Sequence, residues 1–89
     1  MNRIERYSNW GYEDRLDGAA LVDGEKLIVQ WPDGQFEQVI ITVKNHPFKI
    51  NDMGHECEGP DLRATVKKFH RGVQVDVPLL GLNAQRVPA

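Results

Sequence analysis

The chain of 89 residues is short of several things, and each shortage narrows what it does. It has one cysteine, Cys57, so no disulfide can form within it and the small core has no covalent staple. Self-association is the natural substitute for that staple, and a homodimer or higher homo-oligomer is expected. No apolar run approaches the roughly 20 residues of a membrane span. The opening segment Met1 to Trp10 lacks the apolar stretch of a signal peptide, which points to a cytoplasmic protein with no membrane partner. An excess of positive charge is also missing: 11 Lys and Arg stand against 13 Asp and Glu, for a net charge of -2. That balance argues against wholesale binding to a nucleic-acid backbone. Glycine-rich phosphate loops, nucleophile elbows, paired Cys or His metal motifs and dinucleotide fingerprints are all lacking, so no cofactor and no metal is expected.

What is present reads as strands. Lys26 to Val43 contains two β-branched runs around Trp31-Pro32-Asp33-Gly34-Gln35, a hairpin signal. Pro32 presets φ for a type I turn, Asp33 suits the next position, and Gly34 takes the left-handed conformation of a bulged loop. Leu27, Val29 and Trp31 share one parity and are assigned to the core. Upstream, Asp17 to Gly24 reads as a short strand between two Asp-Gly turns, giving a three-stranded antiparallel meander over residues 18 to 43. Residues 45 to 61 lose periodicity and read as a long central loop, a feature that is usually functional.

The last third resumes with two alternating runs flanking His70-Arg71-Gly72. Leu62, Ala64 and Val66 are expected inward on the first strand, and Val73, Val75 and Val77 inward on the second. Leu79 to Leu82 follows Pro78 and is too short for an ordinary helix, so it reads as a 3₁₀ turn before a final strand over Asn83 to Val87. No segment has the pattern of an amphipathic helix. The expected class is all-β, with residues 1–16 as an N-terminal arm or irregular cap and residues 17–89 as one small domain.

Three groups of residues are candidates for recognition. Tyr7, Trp10 and Tyr12 lie among charged residues of the N-terminal segment, and such aromatics dominate interface hot spots. The alternative is that they fold back to cover one end of the core. Lys67, Phe69 and Arg71 belong to a basic stretch beginning at Arg63; its outward parity fits a partner contact, or a solvated strand face that discourages aggregation. His55 belongs to Asn51-Asp52-Met53-Gly54-His55-Glu56-Cys57-Glu58, where Asp52, His55, Cys57 and Glu58 are all metal-ligand types. Their spacing matches no zinc pattern, so a polar loop is the preferred reading. Cys57 has no identifiable base and third group to make it a nucleophile.

The order of elements, carried by Val29-Gln30-Trp31-Pro32-Asp33-Gly34 and by Gly72-Val73-Gln74-Val75-Asp76-Val77-Pro78-Leu79-Leu80-Gly81-Leu82, resembles the SH3-like small barrels. The resemblance implies about five or six short antiparallel strands around one core, with a 3₁₀ turn before the last. The arrangement is also similar to small proteins of unassigned role carried on mobile elements such as integron gene cassettes and phages, which implies an accessory role. The resulting expectation is a non-enzymatic module that binds a protein partner. Two alternatives accompany it. One is an oligomeric pore enzyme resembling the type II dihydrofolate reductases, whose Val-Gln-Ile-Tyr strand is matched by Val73-Gln74-Val75-Asp76 only at its first two positions. The other is a nucleic-acid-binding barrel, with binding that weakens steeply as salt rises.

Overall fold

The computed structural model describes residues 1–88, without the side chains of Ile50 and Asp52, and is built from strands alone. Among the described residues no helix is long and apolar enough to cross a membrane. The strands are β1 (Asn2–Arg3), β2 (Glu5–Ser8), β3 (Tyr12–Leu16), β4 (Ala19–Ala20), β5 (Lys26–Gln30), β6 (Phe36–Ile40), β7 (Thr42–Asn45), β8 (Phe48–Asp52), β9 (His55–Gly59), β10 (Asp61–His70), β11 (Val73–Pro78) and β12 (Asn83–Arg86). One sheet has the order β1-β12-β5-β6; the other has the order β11-β10-β3-β2, with β4 on β3 and β7 on β10. β8 and β9 pair only with each other. Among the described residues no ladder closes on itself.

Twice the chain passes from one sheet into the other through a single residue. Ile4 lies between β1 and β2, and Ile41 between β6 and β7; they are 0% and 1% exposed. An isoleucine at each crossing buries a branched side chain where the sheets approach, and its backbone is used as well. Ile4 donates to Leu82 and accepts from Gly81, and Ile41 donates to Glu25 and accepts from Gly24. The core between the sheets holds Ile4, Leu16, Leu21, Leu27, Val29, Val39, Ile41, Ala64, Val66, Leu79 and Ala84, with Trp31, Val43, Val77 and Leu82 against it.

The hairpin around Pro32 forms as its turn residues dictate. Gly34 has φ +88 and donates to Trp31 at 2.8 Å, Trp31 donates to the Gln35 carbonyl at 2.8 Å, and the Asp33 carboxylate accepts from the Gln35 N–H at 2.9 Å. Leu27 and Val29 are fully buried, and Trp31 is half-buried with its indole N–H on Glu37 at 3.1 Å.

Elsewhere the structure departs from the pattern. The first 16 residues, expected as an arm or irregular cap, carry three strands and place Ile4 and Leu16 in the core. Their strands are rich in Glu, Arg and Asp, and one of those charges, Asp14, is buried, which hydrophobic alternation cannot register. The expected meander over 18–43 is not formed: β4 pairs with β3 through the Asp17-Gly18 turn, and Leu21 donates to the Asp14 carbonyl. The expected long central loop is largely the β8–β9 hairpin, turned at Met53-Gly54. Its described side chains, apart from half-buried Phe48, are exposed up to Glu58, so burial among them imposes no period.

The expected 3₁₀ turn is a β-turn, with Leu82 donating to Leu79 at 3.1 Å and Gly81 at φ +87, as the third position of a type II turn requires. Among the described residues the strands number twelve and are not all antiparallel, because β3 and β10 run parallel at Tyr12-Asp61 and Glu13-Leu62. Ala64, Val66 and Val77 face the core as expected and Leu62 is half-buried, but Val73 and Val75 are 61% and 38% exposed. The β10–β11 hairpin runs past the end of the core and carries them beyond it. A radius of gyration of 14.7 Å, against about 12 Å for a compact chain of this length, fits two such projecting hairpins.

Candidate functional site

The neighbourhood of the N-terminal aromatics is organised by two buried carboxylates. Asp14, 3% exposed, accepts from Arg6 Nε at 2.9 Å and from the Ala64 backbone N–H at 2.9 Å, tying β2, β3 and β10 together. Asp61, 5% exposed, is held by Arg63 through contacts of 2.8 to 3.1 Å. Its backbone N–H donates to Asn45 Oδ1 at 2.9 Å, and its carbonyl accepts from His46 N–H at 2.8 Å. The Arg63 hydrogen bonds hold the Asp61 carboxyl below its usual range against the opposing effect of burial, with further help from the charges of Arg63, Arg6 and His46. Every polar atom of these carboxylates is accounted for within the fold, so both act as braces.

On that frame the β2–β3 turn meets Pro60. Tyr12 N–H donates to the Pro60 carbonyl at 2.8 Å, and Gly11 packs so closely that a Cβ there would lie 2.5 Å from the same oxygen and 2.7 Å from Pro60 Cδ. The contact opens a groove of about 180 Å³ lined by Tyr7, Asn9, Gly11, Tyr12, Glu13, Pro60 and Leu62. Residues paired across strands project to one side, so the pairs Tyr7-Glu13 and Glu13-Leu62 set these three side chains beside one another, with Leu62, expected inward, half-buried among them. Tyr12 pairs with Ser8 and Asp61 and turns to the other face, where its ring stacks on Phe48 with centroids 5.3 Å apart. Arg15 lies over the Tyr7 ring at 3.7 Å and is fixed by Glu13 through Nε at 2.7 Å. Trp10, in the same turn, is 70% exposed with φ +59.

The seven recognition candidates therefore fall into three places. Tyr7 and Tyr12 border the groove and Trp10 stands in its turn. Lys67, Phe69 and Arg71 lie at the far end of β10 and in the Arg71-Gly72 turn; Phe69 is seven residues along the strand from Leu62, roughly 23 Å away. Phe69 is 79% exposed, and Lys67 borders a second groove of about 470 Å³ between β6 and β10 that also touches Ile40 and Val66. Glu37 and Lys68 span that groove with an ion pair, and Lys68 also sits over the Trp31 ring at 5.3 Å. His55 lies at the tip of the β8–β9 hairpin, away from both.

Strand alternation in β9 sends His55 and Cys57 to one face and Glu56 and Glu58 to the other, dividing the ligand types between two sides. Among the described residues no group of three His, Cys, Asp or Glu side chains is placed to hold a metal, and the Asp52 side chain lies outside them. Asn9, Gly11, Glu13, Pro60 and Leu62 are the groove residues that sequence reasoning missed. Pro60 lay within residues 45 to 61, which read as a long loop and not as one wall of a site. Comparison with protein families, with curated proteins and with solved structures finds no match.

Proposed function

We propose that the chain is a non-enzymatic protein-binding module on an SH3-like frame, and that it takes its partner in the groove between Tyr7 and Pro60. The observation that carries this reading is the groove itself, an aromatic, proline-walled channel beside an exposed tryptophan. The passage of strands between both sheets at Ile4 and Ile41 favours the SH3-like reading of the frame. The partner segment best suited to such a surface is an extended, proline-containing stretch. Proline holds the polyproline conformation without ordering cost and packs against aromatic rings. The Arg15 guanidinium covers one face of Tyr7 and is already paired with Glu13, so the groove recruits shape and apolar contact more than charge.

Selection from a displayed library of short peptides tests this, with each selected peptide measured against the wild type and against Tyr7→Ala and Trp10→Ala. Both side chains are exposed, so the fold is retained in the variants. The expected result is proline-containing sequences whose affinity falls about tenfold or more in each variant, as for an interface hot spot. Selected peptides that bind both variants as tightly as the wild type would place recognition elsewhere.

A further inference from the structure

β11 is the last strand of its sheet and pairs only with β10 among the described residues. The direction of each of its backbone groups follows from the ladder. Leu79 N–H donates to Ala64 at 3.2 Å, and hydrogen-bonded pairs alternate along an antiparallel ladder. The hydrogen-bonded pairs are therefore Val66-Val77, Lys68-Val75 and His70-Val73. Gln74 and Asp76 turn their N–H and C=O groups to the open edge, as does Pro78, which has no N–H to offer. This row of unused donors and acceptors runs beside Val73 and Val75, both of which are exposed, Val73 the more so.

We infer that β11 is an interface for a second copy of this chain, which adds its own β11 antiparallel about a two-fold axis through Val75. In that register Gln74 of each copy lies opposite Asp76 of the other, and these are the residues whose backbone groups are free. Four interchain hydrogen bonds form, the Gln74 amide meets the Asp76 carboxylate, and Val75 packs on Val75 with Val73 beside Val77. The other symmetric registers are worse. Centring on Asp76 sets two carboxylates face to face and aligns Gln74 with Pro78; centring on Gln74 runs Asp76 against the Gly72 turn. A register shifted by one residue faces free groups with used ones.

The negative charge of Asp76 does not protect the edge as an isolated charge would. It lies 3.8 Å from Lys44 and is paired across the ladder with Lys67. The contact uses the same strand from both copies and so closes as a dimer. One six-residue strand from each side is a small interface, which predicts a dimer that dissociates on dilution.

Sedimentation equilibrium of the full chain from roughly 10 μM to 1 mM tests it, over the range where a weak dimer forms and dissociates. The expected result is a mass that rises with concentration and levels off at twice the monomer. Gln74→Pro removes an edge donor without touching the β10 ladder and is expected to weaken association about tenfold or more. Gln74→Lys sets a lysine against Asp76 at both ends of the pair and is expected to tighten it at low salt, with the gain fading as salt rises. This exposed substitution leaves the backbone unaltered, so it decides the matter even where the proline variant fails to fold. A chain monomeric at the highest concentration overturns the inference. So does a mass climbing past the dimer, which would mean heterologous addition such as β11 onto the β6 edge, or a Gln74→Lys variant that associates more weakly.

Discussion

Asp14 and Asp61 are both buried, and the Asp14 carboxylate receives donors from two places in the chain, Arg6 and the Ala64 backbone. Such a carboxylate is costly to remove, because its donors are left buried and unpaired. Asp14→Ala orphans the Ala64 N–H and frees the Arg6 guanidinium, and is expected to lower stability by about 1–3 kcal/mol in urea unfolding. An unchanged midpoint would mean that water replaces the carboxylate at no cost. Asp61 and Glu37 set the response to pH. Asp61 titrates below its ordinary value of 3.8 because of its hydrogen bonds from Arg63, and Glu37 below 4.5 because of its hydrogen bond from Lys68. Both folded values are depressed, so the unfolded chain binds more protons in the acid range. The stability these groups add is complete above their unfolded values and is lost as pH falls through the folded ones. The urea midpoint is expected to fall below about pH 4.5, and the fall should be shallower in Asp61→Asn/Glu37→Gln. Parallel curves for the two proteins would show that other carboxylates govern acid unfolding.

At the scale of elements, the turns were the most legible part of the sequence. Pro32-Asp33-Gly34 and Asp17-Gly18 each build the turn their residue types demand, since backbone preference there is local. Strands were legible where one face was buried, as in Leu27 and Val29 or Ala64 and Val66, and illegible where it was not. In the β8–β9 hairpin the described side chains up to Glu58, Phe48 apart, are exposed, and β2–β3 buries Asp14 where alternation alone would place an apolar residue. The groove shared that fate, because its two walls, Tyr7 and Pro60, are joined by a parallel pairing of β3 with β10 that no local signal announces. The Arg71-Gly72 turn shows what a turn costs when its residues are not ideal. Arg71 holds φ +52, the left-handed region that asparagine enters more easily than arginine. Arg71→Asn creates the Asn-Gly pair favoured in two-residue hairpins and is expected to raise the thermal midpoint by roughly 2–8 °C, for a gain of about 0.5–1 kcal/mol. Gly11 has the opposite requirement. Gly11→Ala forces a methyl group into the Pro60 carbonyl and is expected to cost about 1–3 kcal/mol while widening the groove. A variant as stable as the wild type would mean that Pro60 withdraws freely.

At the scale of the whole molecule, the first and last thirds of the chain depend on each other. Ile4, Asp14 and Leu16 supply core and bracing to strands that come much later, so a chain beginning at Gly18 is expected not to fold, as judged by loss of amide chemical-shift dispersion. A dispersed spectrum from that fragment would show that β5 to β12 suffice. The pairing of β1 with β12, Asn2 against Ala84 and Arg3 against Asn83, carries a consequence for synthesis. A ribosome delivers β1 some eighty residues before β12, the strand it pairs with. While residues 5 to 82 emerge, Ile4 has no Leu82 to bond and the sheet holding β5 and β6 is incomplete. The fold is thus completed only after the C-terminal strand has left the ribosome. Until then the nascent chain carries open strand edges and exposed apolar side chains, the condition under which holding chaperones are recruited.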